Sequence, residues 1–457
     1  MSQMSEAADP AIVDVTQVIE RQRIGRFQIG LAALLVLCMF VDGFEAQAPS
    51  FVAPALLAAL HLRRDAMGLV FGAGNLGLML GAVLLGILGD RTGRKRAIVV
   101  GCVVLAAFSF TTMYATDIDT LRLLRIGSGL GVGGVLPSVI ALGTEYSPQR
   151  VQAAAVWVLL IGYQTGAASG ALVSTFLVKD FGWQAMFFIG GVLPLMTALL
   201  VLVALPESVR FLALNPRQRG LARILPRMNS GFAATQNMRF VLHEEARAGL
   251  KVSHLFSEGR ARFTLLLWAV FISNLMALQF LVTWLPTVLE SPSISRNTAA
   301  LASVLVQAGG VAGGLVLSRF LDKGGLRSMA IGFALGVPIV ALIGSAGDSA
   351  ALLMLATFGA GCAVLGGQTN LNAIAGRFYP TFIRSNGIGW ANGVGRIGSI
   401  LGPVIGGVLI GLDLPISQLF VFAAVPPLCA AIGCFALARL QSSATSGQGE
   451  LAAQAGS

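Results

Sequence analysis

Apolar residues fill this chain in long blocks, and polar and charged residues gather in the short gaps between them. A block of about 20 apolar residues crosses the hydrocarbon core of a bilayer as one helix. Charge and turn signals mark off twelve such blocks, near 27–49, 66–88, 97–115, 121–143, 151–176, 184–205, 262–288, 298–318, 328–346, 350–372, 386–410 and 416–438. In lipid a backbone has to satisfy its own hydrogen bonds, so each block is predicted to be a helix. An even number of spans puts both chain ends on one side. The expected fold is an all-α integral membrane protein.

Composition closes off the alternatives. Of 457 residues, 55% are apolar and 11% charged, with a mean hydropathy of +0.79. A soluble domain carries about 25% charged residues to wet its surface, so a water-soluble enzyme is excluded. The five cysteines (Cys38, Cys102, Cys362, Cys429, Cys434) lie inside apolar blocks. There they read as small packing residues, not as a disulfide framework or a metal site. His61, His243 and His254 fall in polar connections, so no metal site and no metal cofactor is expected.

The net charge of +10 is topology, not a nucleic-acid footprint. Of the 31 Lys and Arg residues, 24 lie on the side that holds the termini and four (Arg63, Arg64, Lys179, Arg296) on the other, with Arg122, Arg125 and Arg396 inside helices. The positive-inside rule then puts both termini and the long central loop in the cytoplasm of a cell that inserts the protein in its inner membrane. Glu6, Asp9, Asp14 and Glu20 precede the first apolar block, which argues against a secretory signal peptide.

The predicted organisation is an N-terminal tail (1–26), a six-helix bundle (27–206), a central loop (207–261), a second six-helix bundle (262–439) and a C-terminal tail (440–457). The two bundles repeat. At an offset of 232 residues, Asp90, Arg91 and Gly93 match Asp322, Lys323 and Gly325, and Gly127, Gly129 and Gly134 match Gly359, Gly361 and Gly366. One residue further on, Tyr146, Trp157 and Gly162 match Tyr379, Trp390 and Gly395. Duplicated halves of this kind suit alternating access, with a binding site where they meet near the bilayer midplane. The duplicated unit suffices as a monomer.

The loop after the second span reads Gly89-Asp90-Arg91-Thr92-Gly93-Arg94-Lys95-Arg96. It resembles the Gly-Asp-Arg-x-Gly-Arg signature of the major facilitator superfamily, with a weaker copy at Leu321 to Arg327. Gly93 lets the loop turn tightly. Asp90 can pair across to the next bundle in one state and release in the other, with Arg91 and Arg94 on neighbouring helix ends. Glu145, Arg150, Asp322 and Arg384 join this set as candidates for an inner gate.

Three further stretches narrow the resemblance. The first span contains Asp42-Gly43-Phe44-Glu45, the fourth runs from Arg125 through Gly127, Gly129, Gly131, Gly133 and Gly134, and the eleventh holds Gly393-Val394-Gly395-Arg396. Together they are similar to the aromatic acid:proton symporter family, which usually has Asp where this chain has Glu45. The resemblance implies proton-coupled uptake of a small aromatic acid, driven by the proton gradient without a cofactor. Pro206-Glu207-Ser208 resembles a signature of sugar porters that is too widespread to discriminate.

Charges inside the membrane are expensive unless paired, which makes each a functional candidate. Asp42 and Glu45, three residues apart on one helix face, together with Arg125 form a candidate set for binding and releasing a proton. The alternative is a helix-packing salt bridge. Arg396 lies near the midplane with no carboxylate at its depth in its own half. Its partner is either a substrate carboxylate or, across the cavity, Asp42 or Glu45, and the two arrangements suit successive states of one cycle. Tyr163, Gln164, Asn274, Gln279 and Gln307 lie at similar depths and are candidates to hydrogen-bond a substrate. Trp390, with Phe44, Trp157, Phe280 and Trp284, is a candidate to stack on a ring.

Other organic anions, sugars and exported drugs stay open as cargo. An enzyme is disfavoured, since the chain offers no Ser-His-Asp set, no metal-ligand pair and no phosphate-binding loop. The G-x-G-x-x-G match at Gly129, Gly131 and Gly134 lies mid-span with no preceding strand and reads as a close-packing helix face.

Overall fold

The structure, a computed structural model, describes residues 11–22, 24–214, 219–228, 238–241, 252–257, 259–289, 296–346, 349–380 and 383–455. Twelve helices in it are long and apolar enough to cross a membrane. In chain order they are α1 (Arg26–Ala59), α2 (Ala66–Thr92), α3 (Arg94–Thr112), α4 (Ile118–Glu145), α5 (Gln149–Phe181), α6 (Gln184–Ala204), α7 (Ala261–Leu289), α8 (Asn297–Phe320), α9 (Gly325–Ser345), α10 (Ala350–Phe378), α11 (Asn386–Gly411) and α12 (Ile416–Gln441).

The largest departure from the expected boundaries is α1, predicted to end at 49. It continues through Pro49 and Pro54 to Ala59. A proline removes one ladder bond and crowds the turn before it, but a helix packed among neighbours in a membrane tolerates this. Residues 51–57 of α1 are largely buried. α10 is also irregular, with a π-helical turn at Gly361–Leu365. The glycines paired by the sequence repeat do the same job in both halves. Gly93 (φ 110°) ends α2 and Gly325 (φ 55°) separates α8 from α9, a backbone region that side chains with a Cβ avoid.

The glycines of α4 are a packing face, as expected. A side chain on Gly129 would run into the carbonyl oxygen of Gly74, and one on Gly133 into that of Leu78, both on α2. Such contacts let the two helices approach backbone to backbone, which compensates for the lack of a hydrophobic driving force in lipid. The outer surface is apolar in turn, with Leu123, Phe176 and Val203 exposed.

Among the described residues, three large hydrophobic cores organise the bundles, beside a small one at Phe51, Ala171 and Ala300. One, at the end opposite the chain termini, is shared by both halves and joins Phe44, Val52 and Phe71 to Phe280, Trp284 and Leu285. At the termini's end each half keeps its own core, around Leu35, Val139 and Tyr146 in the first and around Phe271, Phe333 and Tyr379 in the second. The far end is further tied by Arg63, which donates to the Gly411 carbonyl at 3.5 Å. There α2 and α11 lie so close that a Cβ on Gly68 would stand 2.8 Å from the Pro403 oxygen. Among the described residues, the halves therefore share a core at the end away from the termini, and each keeps its own at the other.

Short elements floor the first half. Strand β1 (Ala11–Asp14) runs parallel to β2 (Met238–Val241) from the central loop. Helix Val15–Arg21 is capped by the Asp14 carboxylate, which accepts from Thr16 N at 2.9 Å. Gln28 of α1 donates to the Met228 carbonyl at 3.1 Å, which holds helix Arg219–Met228 in the same floor.

Candidate functional site

Both α1 carboxylates are buried, Asp42 at 1% exposure and Glu45 at 2%. Glu45 is anchored: its Oε2 accepts from Ser109 Oγ of α3 at 2.8 Å, and Gly190 of α6 leaves the space that its Oε1 fills. Arg125 of α4 is the cation that acts on it. That guanidinium donates to Thr112 Oγ1 at 2.9 Å and lies 4.8 Å over the Phe187 ring, a cation–π contact. Asp42 has different company. Arg396 of α11, from the other half, is the cation that acts on it, and Tyr163 of α5 is within electrostatic reach of both. Both Asp42 oxygens, Glu45 Oε1 and Arg125 Nε lack a hydrogen-bond partner.

The expected trio of Asp42, Glu45 and Arg125 is thus joined by Arg396: Arg125 acts on Glu45 inside the first half, Arg396 acts on Asp42 across the halves, and the two carboxylates also act on each other. Three residues advance a helix by about 300°, so the two side chains leave α1 roughly 60° apart. That angle aims Glu45 at α3 and α6 and Asp42 at α5 and α11. Arg396 has its acidic counterpart in Asp42 across the halves, without a direct ion pair.

A two-lobed cavity adjoins these groups. The first lobe, about 650 Å³ of empty space, is bordered by Glu45, Asn75, Arg125 and Ser128. The second, about 940 Å³, is bordered by Trp157, Gln164, Leu275, Leu278, Gln307 and Ser399. Gln47, Tyr163, Gln279 and Arg396 face both lobes and form the divide. Gln279 Nε2 donates to Asn75 Oδ1 at 3.1 Å, a polar link between the halves.

The structure does not bring Asn274 or Trp390 to this cavity. Asn274 is fully buried, and its amide donates to the Val364 carbonyl at 3.2 Å and to Gln368 Oε1 at 2.9 Å. It thereby takes up a carbonyl of the π turn in α10. Trp390 is 40% exposed and stacks on Trp268, ring centres 6.2 Å apart. Depth had suggested Asn274, which rotation about the helix axis turns away; Trp390 was chosen for its ring and lies only one turn inside the start of α11. Gln47, Asn75, Ser109, Thr112 and Ser399 were not singled out in the sequence. Their signal is a polar residue within an apolar span, the one that exposed the charges.

At the termini's end, Asp90 pairs with Arg94 at 2.7 Å within its own loop. The loop docks on the Pro-Glu-Ser segment that seemed uninformative: Lys95 N donates to Glu207 Oε1 at 3.0 Å, and Gly93 lies against the same carboxylate with no room for a side chain. Ser208 Oγ donates to Glu145 Oε2 at 2.6 Å, and Tyr146 Oη to the Glu207 carbonyl at 2.6 Å. Arg150 is elsewhere, donating to the carbonyls of Glu20 (2.7 Å) and Gln22 (2.5 Å) in the floor. Arg91 and Arg384 are exposed. The Asp322 side chain and His243 lie outside the described residues.

The model of the Major Facilitator Superfamily matches residues 35–395, with a second match over 267–455. The chain is 33% identical over 444 residues to the 4-hydroxybenzoate transporter PcaK of Acinetobacter baylyi, covering 95% of this chain and 96% of that one. It is 33% identical over 430 residues to the gallate transporter of Pseudomonas putida, covering 93% and 95%. A solved bacterial homolog of the human lysosomal transporter Spinster superposes with a TM-score of 0.70 at 16% identity, over 91% of this chain and 98% of that one. The xylose transporter XylE of Escherichia coli gives 0.70 at 15% identity, over 89% and 97%. These two carry the fold alone. With a family model spanning most of its length and relatives a third identical from end to end, the chain belongs to the major facilitator superfamily, a family of membrane transporters and not of enzymes.

Proposed function

We propose that the protein imports a small aromatic carboxylate of the hydroxybenzoate type together with a proton, by alternating access in the inner membrane. The observation that carries this reading is the buried Asp42 of one half, behind the cavity lining, within electrostatic reach of Arg396 of the other half, which stands at the divide. Relatives whose names specify 4-hydroxybenzoate, gallate and benzoate support the cargo. With the termini in the cytoplasm by the positive-inside rule, the end at which each half keeps its own core faces inward.

The chemistry follows from charge balance. While Asp42 is ionised, it competes with any other anion for Arg396. A proton taken up by Asp42 releases the guanidinium, which then binds the substrate carboxylate. A planar guanidinium can hold a carboxylate through two parallel hydrogen bonds. Loss of the proton restores the competition and expels the anion. Glu45 and Arg125, held by Ser109 and Thr112, keep the first half neutral throughout. The direct test is uptake of a panel of labelled benzoates with and without a protonophore. Uptake indifferent to the protonophore sinks proton coupling, and no uptake of any benzoate sinks the cargo.

The loop between α2 and α3 is assigned to gating. Asp90→Asn is expected to slow turnover severalfold with little change in equilibrium binding, because its pair with Arg94 lies at the membrane surface, far from the divide. Measuring substrate dissociation constants beside transport rates checks this, and a parallel loss of binding would make the loop a support of the site.

A further inference from the structure

Three polar atoms on the lining of the second lobe have no hydrogen-bond partner among the described residues: Gln47 Oε1 at the divide, and Gln307 Oε1 and Ser399 Oγ deeper in. Gln307 Oε1 of α8 and Ser399 Oγ of α11 are both without a hydrogen-bond partner, in side chains only 6% and 1% exposed, and both residues line the lobe. A serine inside a helix ordinarily turns its hydroxyl back to a carbonyl of the preceding turn. Ser128, Ser174 and Ser303 do so here, at 3.2, 2.8 and 3.1 Å. Ser399 does not. A buried acceptor left unpaired costs free energy, so such atoms point to a partner that arrives with a ligand.

Their setting defines that ligand. Trp157, Leu275, Leu278 and Leu365 supply apolar walls for a ring. Arg396 stands at the divide, three residues from Ser399 on the same helix face. One turn of α11, about 5.4 Å, is comparable with the length of a benzene ring.

We infer that the second lobe reads a ring hydroxyl: with the acid group at Arg396, the hydroxyl donates to Gln307 Oε1 and accepts from Ser399 Oγ. The recognised class is a phenolic acid, preferred over the same acid with a bare ring. This rests on the aromatic-carboxylate reading above. The preference arises because a bare ring fills the lobe and leaves both atoms stranded.

The test is calorimetric binding of benzoate and its 3- and 4-hydroxy derivatives to purified protein, with the ratio of dissociation constants taken within each variant so that general losses of affinity cancel. Wild type is expected to favour a hydroxylated acid about tenfold or more, and Gln307→Leu and Ser399→Ala are each expected to bring the ratio to within about threefold of parity. The two variants lie on different helices, and Gln307→Asn, which withdraws the amide by one methylene, gives a milder version of the same readout. Ratios unchanged in all variants, or a wild type that binds all three acids equally, overturn the inference and leave the aromatic-acid reading standing. A wild type that binds none of the acids overturns both.

Discussion

Asp42→Asn is expected to abolish accumulation of substrate against its gradient while exchange of substrate for substrate continues. The side chain is 1% exposed and neither oxygen has a hydrogen-bond partner, so nothing but Arg396 opposes the cost of a buried anion. A group so placed is suited to alternate between charged and neutral. The amide fixes the neutral condition: Arg396 is free for a carboxylate, binding persists, and no proton accompanies the return. Reconstituted protein gives the readout, by comparing uptake driven by a pH gradient with counterflow at equal pH. Uptake driven by the pH gradient at the wild-type level in Asp42→Asn removes this residue from the coupling mechanism. Glu45→Gln should behave differently, although the sequence groups the two. It leaves Arg125 with only the neutral partners Thr112 and the Phe187 ring, and breaking a buried charge balance costs on the order of 3–5 kcal/mol. Lost folded protein, visible as a lowered yield and melting temperature, is the expected result.

Arg396→Ala is expected to raise the apparent substrate constant tenfold or more. A hydrogen bond between charged groups is worth about 1.5–3 kcal/mol, and each tenfold in affinity is about 1.4 kcal/mol. Arg396→Lys should also transport poorly, since a point charge lacks the planar fork that grips two oxygens. The informative comparison is a benzoate against its uncharged amide. Wild type should prefer the acid, and Arg396→Ala should lose the preference. A preference that survives the substitution transfers the anchor to Arg125, which borders the first lobe.

The membrane fold was legible because the bilayer imposes a length on every helix and a cost on every buried charge. The same cost exposed Asp42, Glu45, Arg125 and Arg396 before any geometry was known. What the sequence could not resolve was azimuth. Spacing puts Asp42 and Glu45 on one side of α1 but does not say which neighbour each meets, and depth put Asn274 level with a cavity it does not face. Contacts distant in the chain were equally hidden: Glu207 reaches Lys95, and β1 finds β2, through segments too short or too common to signal. The first apolar block was expected to end at 49, whereas α1 runs on through Pro49 and Pro54 to Ala59.

The division of the two α1 carboxylates has a consequence for energetics across the membrane. Under the proposed mechanism, with Glu45 committed to Ser109 and balanced by Arg125, Asp42 is the site that exchanges a proton. One proton would then travel with one monovalent acid, and no net charge would cross. A lone charge gains or loses about 2.3 kcal/mol per 100 mV of membrane potential, but a neutral couple gains nothing. Such a carrier is blind to voltage and answers to the pH difference alone. One unit of pH then sets a ceiling of tenfold on the concentration of acid it can build up.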